Sequence, residues 1–198
     1  MFNHYFIDKA HKEEDFFEFC GKFNDFNITL KSCDNVFSKN EIDYGTKVLI
    51  NAIIKNYNLN NKCCLDLGCG LGVVSIILSK YFNANFVLSD ITDIAIKLSK
   101  ENLKINNCPN FKVVKSNLFS NLTQKFDYII TNPPIRAGKK LLLKLIEDSK
   151  NYLNESGKLI LVIRKSHGED SIKKYMETIF SNVEILKRDK GFYVLKGE

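Results

Sequence analysis

From residue 62 onward, short apolar runs alternate with longer segments in which apolar residues recur at helical spacing. Apolar residues at i, i+3, i+4 and i+7 share one face of a helix, whereas a short continuous run is typical of a buried strand. The runs predict strands at 63–67, 86–89, 111–114, 126–130 and 158–163. The periodic segments predict helices after Asp90 and near Leu142, and more clearly at Val74, Ile77, Leu78 and Tyr81 and at Ile172, Tyr175, Met176 and Ile179.

Two further apolar runs, 183–186 and 192–195, follow the last helix with only a polar turn between them. Strands joined through a helix pair in parallel, whereas strands joined by a short turn pair antiparallel. The pattern therefore predicts an α/β fold with an open, doubly wound and mainly parallel sheet of seven strands. The C-terminal pair is expected to form an antiparallel hairpin at one edge of that sheet.

Residues 1–61 do not follow this alternation. Apolar runs predict strands at 4–7 and 26–30, and a periodic segment predicts a helix at 43–56. Asp43 stands at the start of that helix, where a carboxylate can accept a hydrogen bond from a free backbone amide. We expect one domain over residues 1–198, in which residues 1–61 form a small extension packed on a core of residues 62–198.

The composition is that of an ordinary globular domain. The 198 residues are 44% hydrophobic and carry a net charge of +6, which is compatible with a polyanionic partner. The six cysteines form no C-x-x-C pair, which predicts reduced thiols and no metal site. The N-terminus lacks a signal-peptide core, and the apolar runs are too short to span a bilayer, so we expect a cytoplasmic protein.

A glycine-rich motif, Asp66-x-Gly68-x-Gly70-x-Gly72, joins the first strand of the core to a helix. Glycine permits a sharp turn and lets a ligand approach the backbone, and the free amides at the helix start face that ligand. A dinucleotide-binding fingerprint requires glycine where this chain has Val73. The spacing therefore favours S-adenosylmethionine over NAD. The alternative interpretation is a tight turn that binds no ligand.

Polar residues end the next two predicted strands. Asp90 ends the second strand, where a carboxylate can accept hydrogen bonds from both hydroxyls of a ribose or, alternatively, cap the following helix. Asn117 ends the third strand and places a second polar side chain at this edge. The carboxyl ends of parallel strands form the ligand-binding edge of such a sheet. The residues predicted to bind the cofactor are Asp66, Gly68, Cys69, Gly70, Gly72, Asp90, Ile91, Asn117, Leu118 and Asn132.

The fourth predicted strand ends in Asn132-Pro133-Pro134, and these are the predicted catalytic residues. Two prolines stop the strand and fix the turn. The Asn132 side-chain oxygen and a carbonyl of the turn can both accept hydrogen bonds from one NH2 group. The lone pair of an aromatic amine is delocalised into its ring, and two such acceptors would turn it toward a methyl donor, so that catalysis is mainly positioning. The alternative is a turn that happens to contain two prolines.

With these motifs in place, the chain resembles the methyltransferase small domain family of class I methyltransferases. The resemblance is carried by the glycine loop, by the run from Asn132 to Lys139, and by Val36-Phe37-Ser38 with Asp43-Tyr44-Gly45-Thr46. The family includes the catalytic half of a 16S ribosomal RNA guanine-N2 methyltransferase. The resemblance implies a Rossmann-like fold, S-adenosylmethionine as the methyl donor, and guanine N2 of ribosomal RNA as the acceptor. Expected substrate-binding residues are Phe37, Ser38, Ile135, Arg136 and Lys139.

The sequence departs from the family at two positions of the predicted site. At the end of the third strand, class I methyltransferases commonly carry an acidic residue that meets the adenine amino group, whereas this chain has Asn117, whose amide oxygen can still accept from that amine. Many amino methyltransferases place an aromatic residue after the two prolines to stack on the base, whereas this chain has Ile135. Stacking would then come from Phe37 or Phe119. Three alternatives stay open: a glutamine side-chain amide as acceptor, a small molecule as acceptor, and a noncatalytic RNA-binding protein on a methyltransferase scaffold.

Basic residues follow both the Asn-Pro-Pro turn and the fifth strand. Arg136, Lys139 and Lys140 belong to the first group, and Arg164 and Lys165 to the second. Both groups should lie on the ligand-binding edge, where contacts to phosphates would position RNA without reading its sequence. The expected partner is RNA, specifically ribosomal RNA or a ribosomal subunit, with no membrane. The ribosomal enzyme carries a second, noncatalytic domain that we do not expect in this chain, so RNA would be selected by a partner, by a dimer or by the N-terminal segment. The protein is expected to be a monomer or a homodimer.

Overall fold

The structure is a computed structural model, and it describes residues 16–34, 36, 38, 40–134 and 138–198. The strands are β1 (Phe16–Phe23), β2 (Phe26–Cys33), β3 (Cys63–Leu67), β4 (Asn85–Asp90), β5 (Phe111–Lys115), β6 (Phe126–Thr131), β7 (Leu153–Arg164), β8 (Val183–Asp189) and β9 (Phe192–Gly197). The α-helices are α1 (Tyr44–Asn56), α2 (Val73–Tyr81), α3 (Asp93–Ile105), α4 (Lys139–Ser149) and α5 (Glu169–Glu177). The predicted strand at 4–7 lies outside the described residues.

The main sheet has the strand order β5-β4-β3-β6-β7-β9-β8. Neighbours from β5 to β7 pair in parallel, whereas β9 pairs antiparallel with both β7 and β8. The predicted seven-stranded, mainly parallel sheet with its C-terminal hairpin is therefore confirmed. Strand β7 begins at Leu153, earlier than the predicted start at 158, because Leu153 pairs with Phe126 even though polar residues 154–156 interrupt the apolar pattern.

Helices cover both faces of this sheet because successive side chains of each strand point to opposite faces. On one face, Ile130 of β6 packs in a cluster with Leu49 of α1 and Ile77 of α2. On the other face, the neighbouring Ile129 packs in a cluster with Leu145 of α4 and with residues of α5. No helix among the described residues is both long and apolar enough to cross a bilayer. The carboxyl-terminal edge of the parallel strands is not covered by these helices, and the segments that follow the strands form it.

A second, two-stranded sheet precedes the main one. Strands β1 and β2 form an antiparallel hairpin, and only β2 was expected from the sequence. Two asparagines hold this hairpin, Asn102 on α3 and Asn106, which caps the C-terminal end of α3. Asn102 accepts from the Lys31 amide (2.7 Å) and donates to the Lys31 carbonyl (3.0 Å). Asn106 brackets the backbone of Thr29 in the same way, at 3.2 and 2.8 Å.

Asn102 also connects the hairpin to the glycine-rich loop. Asn102 is fully buried and also donates to the Leu71 carbonyl (3.1 Å), within the loop that follows β3. Cys33 at the end of β2 packs with Leu71, and Val36 packs against this cluster. The chain then continues to Asp43, which contacts the segment after β6. The N-terminal extension therefore borders the edge of the sheet where the predicted site lies.

Candidate functional site

The loop between β3 and α2 has a surface that is open to a ligand. Gly68, Gly70 and Gly72 have φ angles of 72°, 52° and 81°, the left-handed region that side chains disfavour. A Cβ added at Gly68 or Gly70 would meet no protein atom within 4 Å. A Cβ at Gly72 would instead lie 3.4 Å from the Cβ of Ser99, so this glycine permits close packing of α3. The first two glycines thus leave space that a bound molecule can fill.

Asp66 lies beneath the loop and not on its open surface. Its side chain is 3% exposed and accepts from the backbone amide (3.2 Å) and the hydroxyl (2.8 Å) of Ser75. Gly72 begins α2 and has no side chain with which to cap it, so Asp66 satisfies a free amide of the first turn. The carboxylate shapes the loop by holding the helix that follows it.

Burial raises the pKa of Asp66 to about 6 from an ordinary value of 3.8, although the Ser75 hydrogen bonds oppose the shift and Asp90 adds to it. The unfolded chain therefore loses this proton at lower pH than the folded one. The contribution of the protonated Asp66 to the free energy of unfolding is fully present below about pH 4. It is lost as the pH rises through about 6.

We expect Asp66→Asn to stabilise the protein relative to wild type at pH 8 by about 1–3 kcal/mol, since one pKa unit corresponds to about 1.4 kcal/mol. The asparagine oxygen can still accept from Ser75. At pH 4 this charge-dependent gain should vanish. Urea unfolding of both proteins at the two pH values measures the difference, and a difference independent of pH would contradict the assignment.

Asp90 is held at the end of β4 by three hydrogen bonds. One carboxylate oxygen accepts from the Gly70 amide (3.1 Å), and the other accepts from the amide (3.1 Å) and hydroxyl (3.2 Å) of Thr92. Helix α3 is capped by Thr92, whose hydroxyl accepts from the Ala95 amide. The helix-cap alternative for Asp90 is therefore wrong. Each carboxylate oxygen has further lone pairs, so a fixed Asp90 can still accept from ligand hydroxyls.

The segment after β5 forms the next part of the edge. Asn117 is exposed, whereas Leu118 is half-buried and has a φ of 51°. Ser116 fixes this turn because its hydroxyl donates to the Leu118 carbonyl (2.8 Å). The prediction that Phe119 stacks on a substrate base is wrong, since its ring is 3% exposed and stacks on Tyr152 within the core, with 4.6 Å between the centroids.

Two other residues predicted to bind the cofactor flank the open surface. Cys69 is buried within the glycine loop, and burial raises the pKa of its thiol well above the ordinary value. The thiol is therefore protonated and unreactive at neutral pH. Ile91 is half-buried directly after Asp90, where it can contact a ligand held by that carboxylate.

The turn after β6 lies beside the glycine loop. Strands β3 and β6 are neighbours in register, with Asp66 opposite Ile130, so the two segments that follow them start at the same height. The Thr131 hydroxyl donates to the Leu67 carbonyl (2.8 Å) and ties the two strand ends together. Pro133 is buried and Pro134 half-buried.

The orientation of the Asn132 side chain is fixed by its surroundings. Its amide nitrogen donates to a carboxylate oxygen of Asp43 (3.0 Å) and to the hydroxyl oxygen of Thr46 (2.9 Å). A carboxylate can only accept, so the NH2 group of Asn132 must face Asp43. Its carbonyl oxygen makes no hydrogen bond within the described part of the chain and is left as an acceptor.

Asp43 and Thr46 are site residues that the sequence analysis missed. Asp43 was expected only as a helix cap, and it does cap α1 by accepting from the Thr46 amide (2.9 Å). The same carboxylate oxygen also receives Asn132. The available signal was the family resemblance, which includes the segment from Asp43 to Thr46, but nothing local linked these two residues to a segment 89 residues away.

Two of the five residues predicted to bind the substrate, Ser38 and Lys139, are among the described residues. Phe37, Ile135 and Arg136 are outside the described residues. Ser38 is half-buried with a φ of 57°. Lys139 begins α4 and is exposed, with its ammonium 3.2 Å from the Ser171 hydroxyl. The arrangement therefore rests on the glycine loop, the ends of β4 and β5, and the Asn132 turn.

Known proteins share both the sequence pattern and the fold. The methyltransferase small domain family matches residues 27–196. Bacillus subtilis YbxB is 34% identical over 201 residues, which cover 100% of this chain and 99% of that protein. The ribosomal RNA small subunit methyltransferase C of Buchnera aphidicola is 39% identical over 152 residues, covering 73% of this chain and 46% of the relative.

A solved structure from T. thermophilus, a 16S rRNA N2 methyltransferase in complex with AdoMet and guanosine, superimposes with a TM-score of 0.83 at 22% identity. The alignment covers 92% of this chain and 50% of that one, so this chain spans about half the length of the named methyltransferases. The match over 27–196 shows that the chain belongs to the methyltransferase small domain family, and the superposition shows the class I methyltransferase fold.

Proposed function

We propose that this protein transfers a methyl group from S-adenosylmethionine to an exocyclic amino nitrogen, and that this nitrogen is guanine N2 of ribosomal RNA. The observation that carries the proposal is the orientation of Asn132. Its amide nitrogen is held by Asp43 and Thr46, and its oxygen is free beside the open glycine loop.

The open edge fits S-adenosylmethionine. Space above Gly68 and Gly70 admits the amino-acid end of the cofactor. The fixed carboxylate of Asp90 can accept from its ribose hydroxyls, and the exposed Asn117 can accept from its adenine amine. When bound, the cofactor supplies a methyl group whose bond to sulfur breaks as the bond to nitrogen forms.

The acceptor side selects a nitrogen that carries hydrogens. Because Asn132 presents only its oxygen, a ring nitrogen without a hydrogen or a carbonyl of the substrate would find no donor there. An NH2 group can donate one hydrogen to this oxygen and the other to a carbonyl of the turn. The amine lone pair is then turned out of the ring plane toward the methyl group. The methylated nitrogen is acidic and releases its proton to water, so no strong base is required.

Guanine and ribosomal RNA are supported by the relatives. The methyltransferase C proteins are named for the RNA of the small ribosomal subunit, and the T. thermophilus enzyme was solved with guanosine. A glutamine amide and a small-molecule amine would also donate to the Asn132 oxygen. An intact glycine loop and Asn-Pro-Pro turn argue against a noncatalytic role.

The acceptor is identified by incubating the protein with labelled S-adenosylmethionine and a lysate of a strain that lacks the gene. RNA, protein and small molecules are then separated. We expect the label in ribosomal RNA, and nucleoside mass spectrometry should identify N2-methylguanosine. Label confined to protein would instead support the glutamine amide, and label in small molecules would support a metabolite amine.

A further inference from the structure

Four exposed side chains and the half-buried Phe192 form a basic and aromatic cluster near Asn132. The cluster comprises Tyr44, Arg164, Lys165, Lys190 and Phe192, and we call it the basic–aromatic rim. Arg164 ends β7 and pairs with Phe192, the first residue of β9. Lys190 lies in the turn between β8 and β9, and Tyr44 is the first residue of α1. The rim thus joins three elements at the same edge of the sheet as the proposed site.

Two cations of the rim lie over its two rings. The Arg164 guanidinium is 4.6 Å from the Phe192 ring centroid, and the Lys190 ammonium is 5.1 Å from the Tyr44 ring centroid. The rings are 5.8 Å apart. A Cβ at Gly45 would lie 2.7 Å from the Phe192 ring and 3.0 Å from the Asp43 carboxylate. Only Gly45 lies between the Phe192 ring of the rim and Asp43, the residue that orients Asn132.

The backbone holds the rim rigidly. Lys190 and Gly191 have φ angles of 42° and 78°, the geometry of a two-residue hairpin turn. The Lys165 amide donates to the Gly191 carbonyl (2.8 Å), and the Tyr44 hydroxyl donates to Asp189 (3.0 Å). A depression of about 490 Å³ lies between these segments, lined mainly by residues of the rim. Such a surface loses little entropy when it binds a ligand.

The charge of the rim is available to an external anion. Arg164, Lys165 and Lys190 form no ion pair with a carboxylate among the described residues. Lys187 on the same hairpin, in contrast, is 3.6 Å from Asp189. Tyr44 is 37% exposed, which is unusual for a large aromatic residue in this structure.

We propose that the basic–aromatic rim binds a single-stranded stretch of RNA next to the nucleotide to be methylated. This inference rests on the proposed function. Arg164, Lys165 and Lys190 bind phosphates, and a flanking base stacks on the Tyr44 ring, since unpaired bases stack on aromatic side chains next to cations. The residue after the two prolines, Ile135, offers no aromatic ring for stacking. The rim supplies such a ring outside the Asn-Pro-Pro turn.

The test measures binding of a fluorescent single-stranded RNA 12-mer and of the same sequence as a duplex. Arg164→Ala with Lys190→Ala should weaken single-strand binding about tenfold or more and lower the salt slope by about 1.4, roughly 0.7 for each lost phosphate contact. The control is Lys62→Ala with Lys125→Ala, which removes the same charge from exposed positions that precede β3 and β6 at the opposite edge. The control should change affinity by less than about twofold.

Substitutions at Tyr44 distinguish the contribution of base stacking to RNA binding from that of charge. Tyr44→Ala should weaken single-strand binding about tenfold, whereas Tyr44→Phe, which keeps the ring, should stay within about twofold of wild type. Calorimetry with S-adenosylmethionine verifies that each variant is folded. Equal losses in the rim and control variants would overturn the proposal, as would duplex binding as tight as single-strand binding. If wild type methylates RNA while rim variants bind it normally, the rim assignment fails but the proposed function stands.

Discussion

Replacing Asn132 with alanine should lower the rate of methyl transfer about 100- to 1,000-fold, the loss typical of removing one preorganised polar group from a reacting centre. S-adenosylmethionine should still bind within about threefold of wild type, because the glycine loop and Asp90 supply most of the proposed contacts. Single-turnover assays and calorimetry measure the two quantities separately. Undiminished turnover with the cofactor bound would remove Asn132 from the mechanism.

The Thr46 position offers a matched control for the orientation of Asn132. Thr46→Val has nearly the same shape but lacks the hydroxyl that accepts from the Asn132 amide, whereas Thr46→Ser keeps it. We expect the valine variant to lose about tenfold in the maximal rate, because a small misplacement of a positioned group is costly in catalysis. The serine variant should recover most of the rate, and equal losses in both would point to packing at this site.

Replacing Gly70 with alanine should reduce affinity for S-adenosylmethionine at least about tenfold, since the new Cβ combines left-handed strain with space expected to hold the cofactor. Gly191→Ala is the control. Gly191 also has a positive φ (78°) and no protein atom within 4 Å of its added Cβ, but it lies in the β8–β9 turn.

Both alanine variants should lower the melting temperature by a similar few degrees, about 2–4 °C per kcal/mol for a domain of this size. Only Gly70→Ala should lose cofactor binding in calorimetry. If both variants bind the cofactor like wild type, the open surface of the loop is not the binding surface.

The fold of the core could be predicted from the sequence because burial in a doubly wound sheet imposes a local periodicity. Strand β1 was missed because its support is not local. It pairs with β2, whose backbone is bracketed by Asn102 of α3 and by Asn106 at the C-terminal end of that helix. Phe119 shows the same limit, because an aromatic residue near the edge of the sheet packs into the core on Tyr152.

The sequence predicted where the candidate site residues lie better than it predicted which residues they contact. The ends of parallel strands meet at one edge, so the glycine loop, Asp90 and Asn132 were expected to be neighbours. The role of Asp66 required knowing that Ser75 faces it. The orientation of Asn132 required a contact with Asp43 that spans 89 residues.

The contact between Asp43 and Asn132 also bears on how such a chain can be divided. By the periodicity of its strands, the core begins near residue 62, and an engineer would cut there to obtain a minimal catalytic module. That cut would retain the whole main sheet, the glycine loop and the Asn-Pro-Pro turn. It would also discard Asp43 and Thr46, leaving the Asn132 amide free to rotate. The smallest transplantable unit therefore begins upstream of α1, well before the first strand of the core.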